Sequence, residues 1–104
     1  SARAFLIDLI TDANPVASGR EPSLIEAIDQ AVTRIPGHFD GQPDSEADIR
    51  LAIGVAYANL MRLDQADAEL ARALALRTSG TAEHAEVLQA QALVDWTRGR
   101  TDQA

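Results

Sequence analysis

Apolar residues recur at intervals of three and four along most of the chain, which is the spacing of one face of an α-helix. The stretch 51–76, LAIGVAYANLMRLDQADAELARALAL, shows this spacing most clearly. It predicts two short helices joined by a tight turn at Met61-Arg62-Leu63-Asp64. No segment alternates with a period of two for long enough to form a strand, so the pattern predicts an all-α protein.

Helix-breaking residues divide the chain into five predicted helices and the start of a sixth. The first helix covers residues 2–13 and ends at Asn14-Pro15, because the residue before a proline avoids the helical region. The second begins at Ser23, which can form a capping box with Glu26. It stops at Pro36-Gly37.

The third predicted helix begins near Pro43 or Asp44, since proline and acidic residues both suit a helix start. This third helix ends at about Arg62. The fourth is capped by Asp64 and ends at about Arg77, with Gly80 as its left-handed stop. The fifth starts at Thr81 or Glu83 and ends before Gly99, and a sixth opens at Thr101.

Small and large side chains alternate between the two helices of the 51–76 stretch. Gly54 has no side chain and Ala66 has only a methyl group, so each lets a facing helix approach closely. Tyr57 supplies bulk between them, and Ala73 lets the second helix pack against a further unit. This alternation predicts an antiparallel hairpin of two closely packed helices.

Composition narrows the possible functions. The chain has 104 residues, enough for at most one ordinary domain, and it contains no cysteine for disulfide or thiol chemistry. Its net charge is −7 and all nine basic residues are scattered arginines, which argues against a nucleic-acid-binding surface. No apolar run is long enough to cross a membrane, so we expect no membrane insertion by this segment.

A weaker copy of the hairpin pattern follows at 88–104, LQAQALVDWTRGRTDQA. Ala92 takes the small position, Asp95 replaces the tyrosine with Trp96 beside it, and Gly99 takes the place of a turn glycine. The small residue of the next helix would be Ala104, which follows Ala66 by 38 residues.

This hairpin pattern resembles the tetratricopeptide repeat, a 34-residue helix–turn–helix unit. The residues that carry the resemblance are Ile53-Gly54, Tyr57, Ala66 and Ala73-Leu74. The sequence departs from the family pattern at three places: Arg50 stands for the early aromatic residue, Met61 for the turn glycine and Thr78 for the closing proline.

The resemblance implies antiparallel helical hairpins stacked as a right-handed α–α superhelix within a single domain. Residues 1–42 would form an N-terminal helical hairpin or cap, and residues 43–104 would form tetratricopeptide-like repeats, the second one truncated. The segment before the repeats is similar to the lead-in of such repeats in large bacterial regulatory proteins, including receptor-type Ser/Thr kinases and transcriptional regulators.

We find no pattern that predicts catalysis, metal binding or a cofactor. His38 and His84 have no partner at metal-ligand spacing, and no nucleotide-binding or serine-nucleophile motif occurs. The acidic pairs Asp64/Asp67 and Glu83/Glu86 lie at predicted helix starts, where the helix dipole already favours negative charge.

In helical-repeat arrays the first helix of each hairpin lines a concave binding face. By the family pattern, the residues expected to bind a partner are Leu51, Val55, Asn59, Gln89, Leu93 and Trp96. Leu51 and Val55 are apolar where a clamp for a peptide carboxylate would need polar or basic residues. Trp96 is the best anchor candidate, although the only tryptophan of a small domain can equally belong to its core.

These observations favour a protein–protein interaction scaffold, a tetratricopeptide-like module of a larger bacterial signalling or regulatory protein. Its partner would be a protein or peptide, with another copy of the same chain among the candidates. The alternative is a homo-oligomerisation or structural segment with no separate ligand, and a third is a small helical enzyme or ligand-binding bundle. The compartment stays open: cytoplasmic, or extracytoplasmic if the parent protein has an upstream membrane span.

Overall fold

The computed structural model describes residues 23–103, which form four α-helices and contain no strand. We number them α1 (Leu24–Arg34), α2 (Pro43–Asn59), α3 (Leu63–Ala75) and α4 (Ala82–Gln103). The predicted helix at 2–13 lies outside the described residues, as does Ala104. The expectation of an all-α protein is confirmed for the described part of the chain.

α1 begins and ends at the predicted signals. The Ser23 hydroxyl accepts a hydrogen bond from the Glu26 amide at 3.1 Å, which is the capping bond expected of a serine N-cap. The helix ends at Arg34, two residues before Pro36. Phe39 anchors the loop that follows, because its ring is buried in the core between α1 and α2.

α2 and α3 form the predicted hairpin. Proline opens α2 at Pro43, where its missing N–H leaves no bond unmade. Gly54 and Leu70 lie in contact: a Cβ atom placed on Gly54 would come within 2.7 Å of Leu70 Cδ2 and 3.5 Å of the Ala66 carbonyl oxygen. The small residues therefore permit the close approach that the sequence predicts.

The turn between α2 and α3 is shorter than predicted. α3 already begins at Leu63, with Arg62 in the cap position and no side-chain capping bond, so the prediction of Asp64 as the cap is wrong. The Arg62 amide instead donates to the Tyr57 carbonyl at 2.8 Å. Met61 closes the turn with a left-handed backbone, φ = 61°.

Met61 thus occupies a conformation that costs an L-residue about 1 to 2 kcal/mol and costs glycine little. We expect Met61→Gly to raise the free energy of unfolding by about 0.5 to 1 kcal/mol in urea titrations, after the entropy that glycine gains in the unfolded chain is subtracted. Met61→Ala is the control, since it removes the side chain and keeps the strained φ. An equal gain in both variants would show that the backbone angle is not the cause.

α4 differs most from expectation. It runs without interruption from Ala82 to Gln103, so the prediction of a turn at Gly99 and a new helix at Thr101 is wrong. A single glycine inside a helix costs only about 1 kcal/mol, which the surrounding helix-forming residues outweigh. No second helical hairpin is formed within the described residues.

The α3–α4 connection is also corrected in one detail. Gly80 has the left-handed φ of 88° that was expected, but α3 ends five residues earlier at Ala75, so Gly80 belongs to the connecting turn and does not stop the helix. Thr81 caps α4, as one of the two predicted starts: its hydroxyl accepts from the His84 amide at 3.1 Å.

One core holds the four helices together. α3 packs against both α2 and α4, and α2 also contacts α1 and α4. The buried apolar residues are Ile28, Ala31, Ile35, Phe39, Ala47, Ile49, Ile53, Tyr57, Ala66, Leu70, Ala73, Val87 and Val94. Among residues 23–103, no helix has the length and apolar character needed to cross a bilayer.

Candidate functional site

α2 and α4 lie side by side and run in the same direction, as two cavities show. The first, of about 520 Å³, lies at the start of both helices, where Asp44 and Asp48 of α2 meet Thr81 and Glu83. The second, of about 390 Å³, lies at their other end, where Met61 meets Thr97, Arg100 and Thr101 of α4. The surface between the two helices therefore extends from one cavity towards the other.

The facing sides of the groove follow from helical spacing. Leu51 and Val55 lie three and seven residues after Asp48, so they share the side of α2 that faces α4. Leu93 lies four residues before Thr97 and shares the side of α4 that faces α2. We call this surface the α2–α4 groove, lined by Leu51, Val55, Leu93 and Thr97.

The six residues expected to bind a partner are all accessible to some degree. Leu51 is half-buried at the floor of the groove, while Val55 is 40% exposed and Leu93 57% exposed. Asn59 and Gln89 are exposed polar residues one helical turn from Val55 and Leu93. The structure thus brings the three apolar residues to one surface and leaves the two amides at its margin.

Trp96 is 59% exposed, so the alternative that it belongs to the core is wrong. The Arg100 guanidinium carbon lies 4.7 Å from the centre of its ring, at cation–π distance. On the surface of α4, Trp96 lies between the side that borders the groove and the side that points away from the core. It offers a large apolar area with a positive charge beside it.

The charged residues at the cavity near the start of α2 and α4 already form ion pairs with one another. The Arg77 side chain is buried, and its guanidinium pairs with Asp48 and, at 3.8 Å, with Asp44. Within the described residues, no group of three histidine or acidic side chains could hold a metal ion. The expectation that His38 and His84 bind no metal stays a prediction.

Sequence reasoning missed a buried charge network between α2 and α3. Arg50 is 8% exposed and Glu69 2% exposed, and their side chains form an ion pair of 2.8 Å between Arg50 Nη1 and Glu69 Oε1. Glu46 binds Arg50 Nε at 2.8 Å, and Arg72 binds the other oxygen of Glu69. The network fixes how the two helices align, since a planar guanidinium accepts carboxylates in few geometries.

A signal for this pair exists in the sequence. Arg50 lies nine residues before the end of α2 and Glu69 six residues after the start of α3, so an antiparallel hairpin brings them to within about one helical turn of the same level. In the sequence Arg50 stands out only as a departure from the aromatic residue of the repeat pattern. In the structure it binds α3 through an ion pair with Glu69, whereas an aromatic ring at that position would contribute buried apolar area.

The acidic residues at the start of α3 also have a partner. Arg98 of α4 binds Asp64 at 3.1 Å and binds Asp67 as well, which joins the two helices at the end near the turn. These hydrogen bonds raise the pKa of the Arg98 guanidinium above its usual value, so it is charged at any working pH. The helix dipole alone was the explanation expected from sequence.

Tyr57 ties α1 to the hairpin. Its ring is buried, and its hydroxyl donates to Asp29 Oδ1 at 2.5 Å. Burial, followed by the hydrogen bond and the negative charge of Asp29, raises the pKa of the Tyr57 hydroxyl well above its usual range.

Tyr57 should control stability at alkaline pH. Its pKa is higher in the folded than in the unfolded chain, so its contribution is complete below about pH 10 and declines above it, by up to about 1.4 kcal/mol per pH unit. The chain has no lysine, no cysteine and one tyrosine, so no other side chain titrates between about pH 9 and 12. Urea unfolding at pH 8, 10 and 11.5 should show this decline, and Tyr57→Phe should show none. A similar decline in Tyr57→Phe would rule out the tyrosine as its source.

The α2–α4 side of the molecule combines exposed apolar side chains, an exposed tryptophan and ion pairs that join the helices. The sequence resemblance to tetratricopeptide repeats rests on residues of α2 and α3. Comparisons with protein-family models, with curated proteins and with solved structures find no match.

Proposed function

We propose that this chain is a protein–protein interaction scaffold, a tetratricopeptide-like module of a larger bacterial signalling or regulatory protein. It receives an apolar or amphipathic peptide in the α2–α4 groove. The observation that carries the proposal is the exposure of Val55, Leu93 and Trp96 on one side of a small helical layer. Clustered apolar side chains at a surface mark interaction sites far more often than isolated ones.

The arrangement of the helices supports a repeat-like scaffold. α2 and α3 form one hairpin, and α4 packs beside α2 in the same direction, where the first helix of a following hairpin belongs. α1 covers the opposite side of α2, as expected of a cap. In this reading the groove between α2 and α4 is the concave face of a short right-handed superhelix.

The side chains of the groove define the chemistry of the ligand. Leu51, Val55 and Leu93 favour apolar side chains, while the exposed Glu86 at the margin of the groove favours a basic group. An amphipathic helix that carries apolar residues at intervals of three and four, with arginine or lysine beside them, satisfies both. A free carboxylate terminus finds no cluster of basic residues along these positions.

Selection from a random peptide library on the immobilised chain tests this proposal. We expect enrichment of peptides with spaced apolar and basic residues, and we expect Val55→Glu or Leu93→Glu to weaken their binding at least tenfold, because each places a charge in the apolar groove. Ala71→Glu is the matched control, since Ala71 is an exposed residue of α3 away from the groove.

Two outcomes count against the proposal. One is a selection that enriches nothing above the background of a surface without protein. The other is a set of enriched peptides that bind both groove variants as tightly as they bind the original chain. Circular dichroism of each variant must show unchanged helix content, so that a loss of binding is not a loss of fold.

A further inference from the structure

α4 carries a straight row of residues along the side that faces α2. Glu86, Leu93 and Arg100 are separated by seven residues each, which is close to two full helical turns, so they stack in line along the helix axis. All three are exposed. Over about 21 Å the row therefore presents a negative charge, an apolar side chain and a positive charge in that order.

The end of the groove near Glu86 has an excess of negative charge. The cavity at the start of α2 and α4 is lined by Asp44, Asp48 and Glu83, with Arg77 as its one cation. Arg77 pairs with Asp48 and, at 3.8 Å, with Asp44, so it balances only one of the three carboxylates. Within residues 23–103, neither Glu83 nor Glu86 forms an ion pair. A basic group of a ligand is therefore favoured at this end.

The other end of the groove has the opposite charge. Its cavity is lined by Met61, Thr97, Arg100 and Thr101, with no acidic side chain. Arg100 stacks on the Trp96 ring and forms no ion pair with any other residue of the described part of the chain. Its positive charge is therefore available to an acidic group of a ligand.

The two ends together define a direction for the ligand. We propose that the α2–α4 groove selects an amphipathic helix with a basic residue at one end of its apolar face and an acidic residue at the other, about 14 residues apart. The basic residue pairs with Glu86 and the acidic residue pairs with Arg100. This inference rests on the proposed function, since it requires a peptide in the groove.

Charge would act here mainly on direction and specificity. Exposed ion pairs contribute little to affinity, but a ligand bound the wrong way round sets a like charge against both Glu86 and Arg100. A ligand with the same charge at both ends meets a like charge at one of them. The apolar contacts with Leu51, Val55 and Leu93 hold the peptide, and the two charges decide which peptide is held and in which direction.

Selection from a random library of peptides of about 20 residues tests the specificity. We expect the enriched peptides to carry an acidic residue about 14 positions from the basic one more often than the unselected library does. On Arg100→Gln this acidic preference should fall to the level of the unselected library, while the apolar spacing and the basic preference stay.

Ala71→Glu is the matched control for Arg100→Gln, because each substitution makes the net charge one unit more negative and Ala71 is exposed on α3 away from the groove. It should retain the acidic preference. Peptides enriched on the original chain without an excess of acidic residues at that distance would overturn the inference. So would an acidic preference that persists in full on Arg100→Gln.

Trp96 fluorescence tests the direction. Trp96 lies four residues from Arg100 and ten from Glu86, which is about 6 Å and about 15 Å along the axis of α4. A selected peptide is acetylated and amidated to remove its terminal charges, and a short-range quencher is attached beside either its acidic or its basic residue. The quencher beside the acidic residue should lower Trp96 emission at least twice as much. Equal quenching from both ends, or stronger quenching from the basic end, overturns the inference.

These measurements separate the inference from the proposed function. Peptides whose binding is lost in Val55→Glu and Leu93→Glu, but which show no preferred charge arrangement and no preferred direction, overturn the inference alone. A selection that enriches no peptide overturns both.

Discussion

Glu69→Leu should lower the free energy of unfolding by about 3 to 4 kcal/mol, because it removes the main partner of a charge that stays buried. Arg50 is almost fully buried, and without Glu69 its guanidinium keeps only Glu46. For a domain of this size the change corresponds to a fall in the melting temperature of about 12 to 20 °C. Urea and thermal unfolding followed by circular dichroism measure both quantities.

Replacing both partners should be far less damaging than replacing one. Arg50→Leu combined with Glu69→Leu removes the buried charges together and leaves two apolar side chains in contact, which is often neutral for stability. We expect the double variant to regain at least half of the stability lost in Glu69→Leu. If the double variant loses as much as the two single variants combined, the pair is not energetically coupled and the network does not hold α2 on α3.

Gly54→Leu should destabilise the hairpin by about 2 to 3 kcal/mol in the same unfolding measurements. Even the first atom of the new side chain would lie 2.7 Å from Leu70, which is itself fully buried, so the helices must move apart. The loss exceeds the gain of up to about 1 kcal/mol that leucine brings over glycine inside a helix.

Gly99→Leu is the matched control for Gly54→Leu. Gly99 lies inside α4, near its C-terminal end, with no atom within 4 Å of an added Cβ, so the same substitution should raise stability by about 0.5 to 1 kcal/mol. Both variants are measured under the same conditions. Equal effects at the two positions would contradict the close packing of α2 against α3.

Much of the fold follows from local sequence signals. Ser23 and Pro43 begin the first two described helices where expected, since capping and proline preferences act within one helical turn. The contact of Gly54 with α3 also follows, because the sizes of facing residues in a hairpin are readable from sequence. The all-α class needs only the spacing of the apolar residues.

The errors have one physical origin. Gly99 and Gly80 were both given the role of ending a helix, but a glycine ends a helix only when the chain gains contacts by turning there. α4 continues through Gly99 because the helix is packed on the core through the buried Val87 and Val94, and Arg98 is held by Asp64 and Asp67 of α3. Such tertiary contacts are not encoded within one turn of the sequence.

The candidate site was predictable in part. The exposure of Val55 and Leu93 follows from their position on the faces that α3 does not cover. The role of Trp96 could not be decided from sequence, because α4 carries apolar residues on opposite faces and only packing shows which face is buried. The Arg50–Glu69 pair was missed because buried charges are rare enough that a charged residue is first assumed to be exposed.

The proposed function requires that the α2–α4 groove bind an apolar or amphipathic peptide. The fluorescence of Trp96, the chain's only tryptophan, tests it most directly. We expect a library-selected peptide, added to the chain at about 1 µM, to shift its emission to shorter wavelength, and we expect Val55→Glu to abolish the shift at the same peptide concentration. A peptide that binds with no change in Trp96 emission, or that shifts the emission of Val55→Glu equally, would contradict the claim.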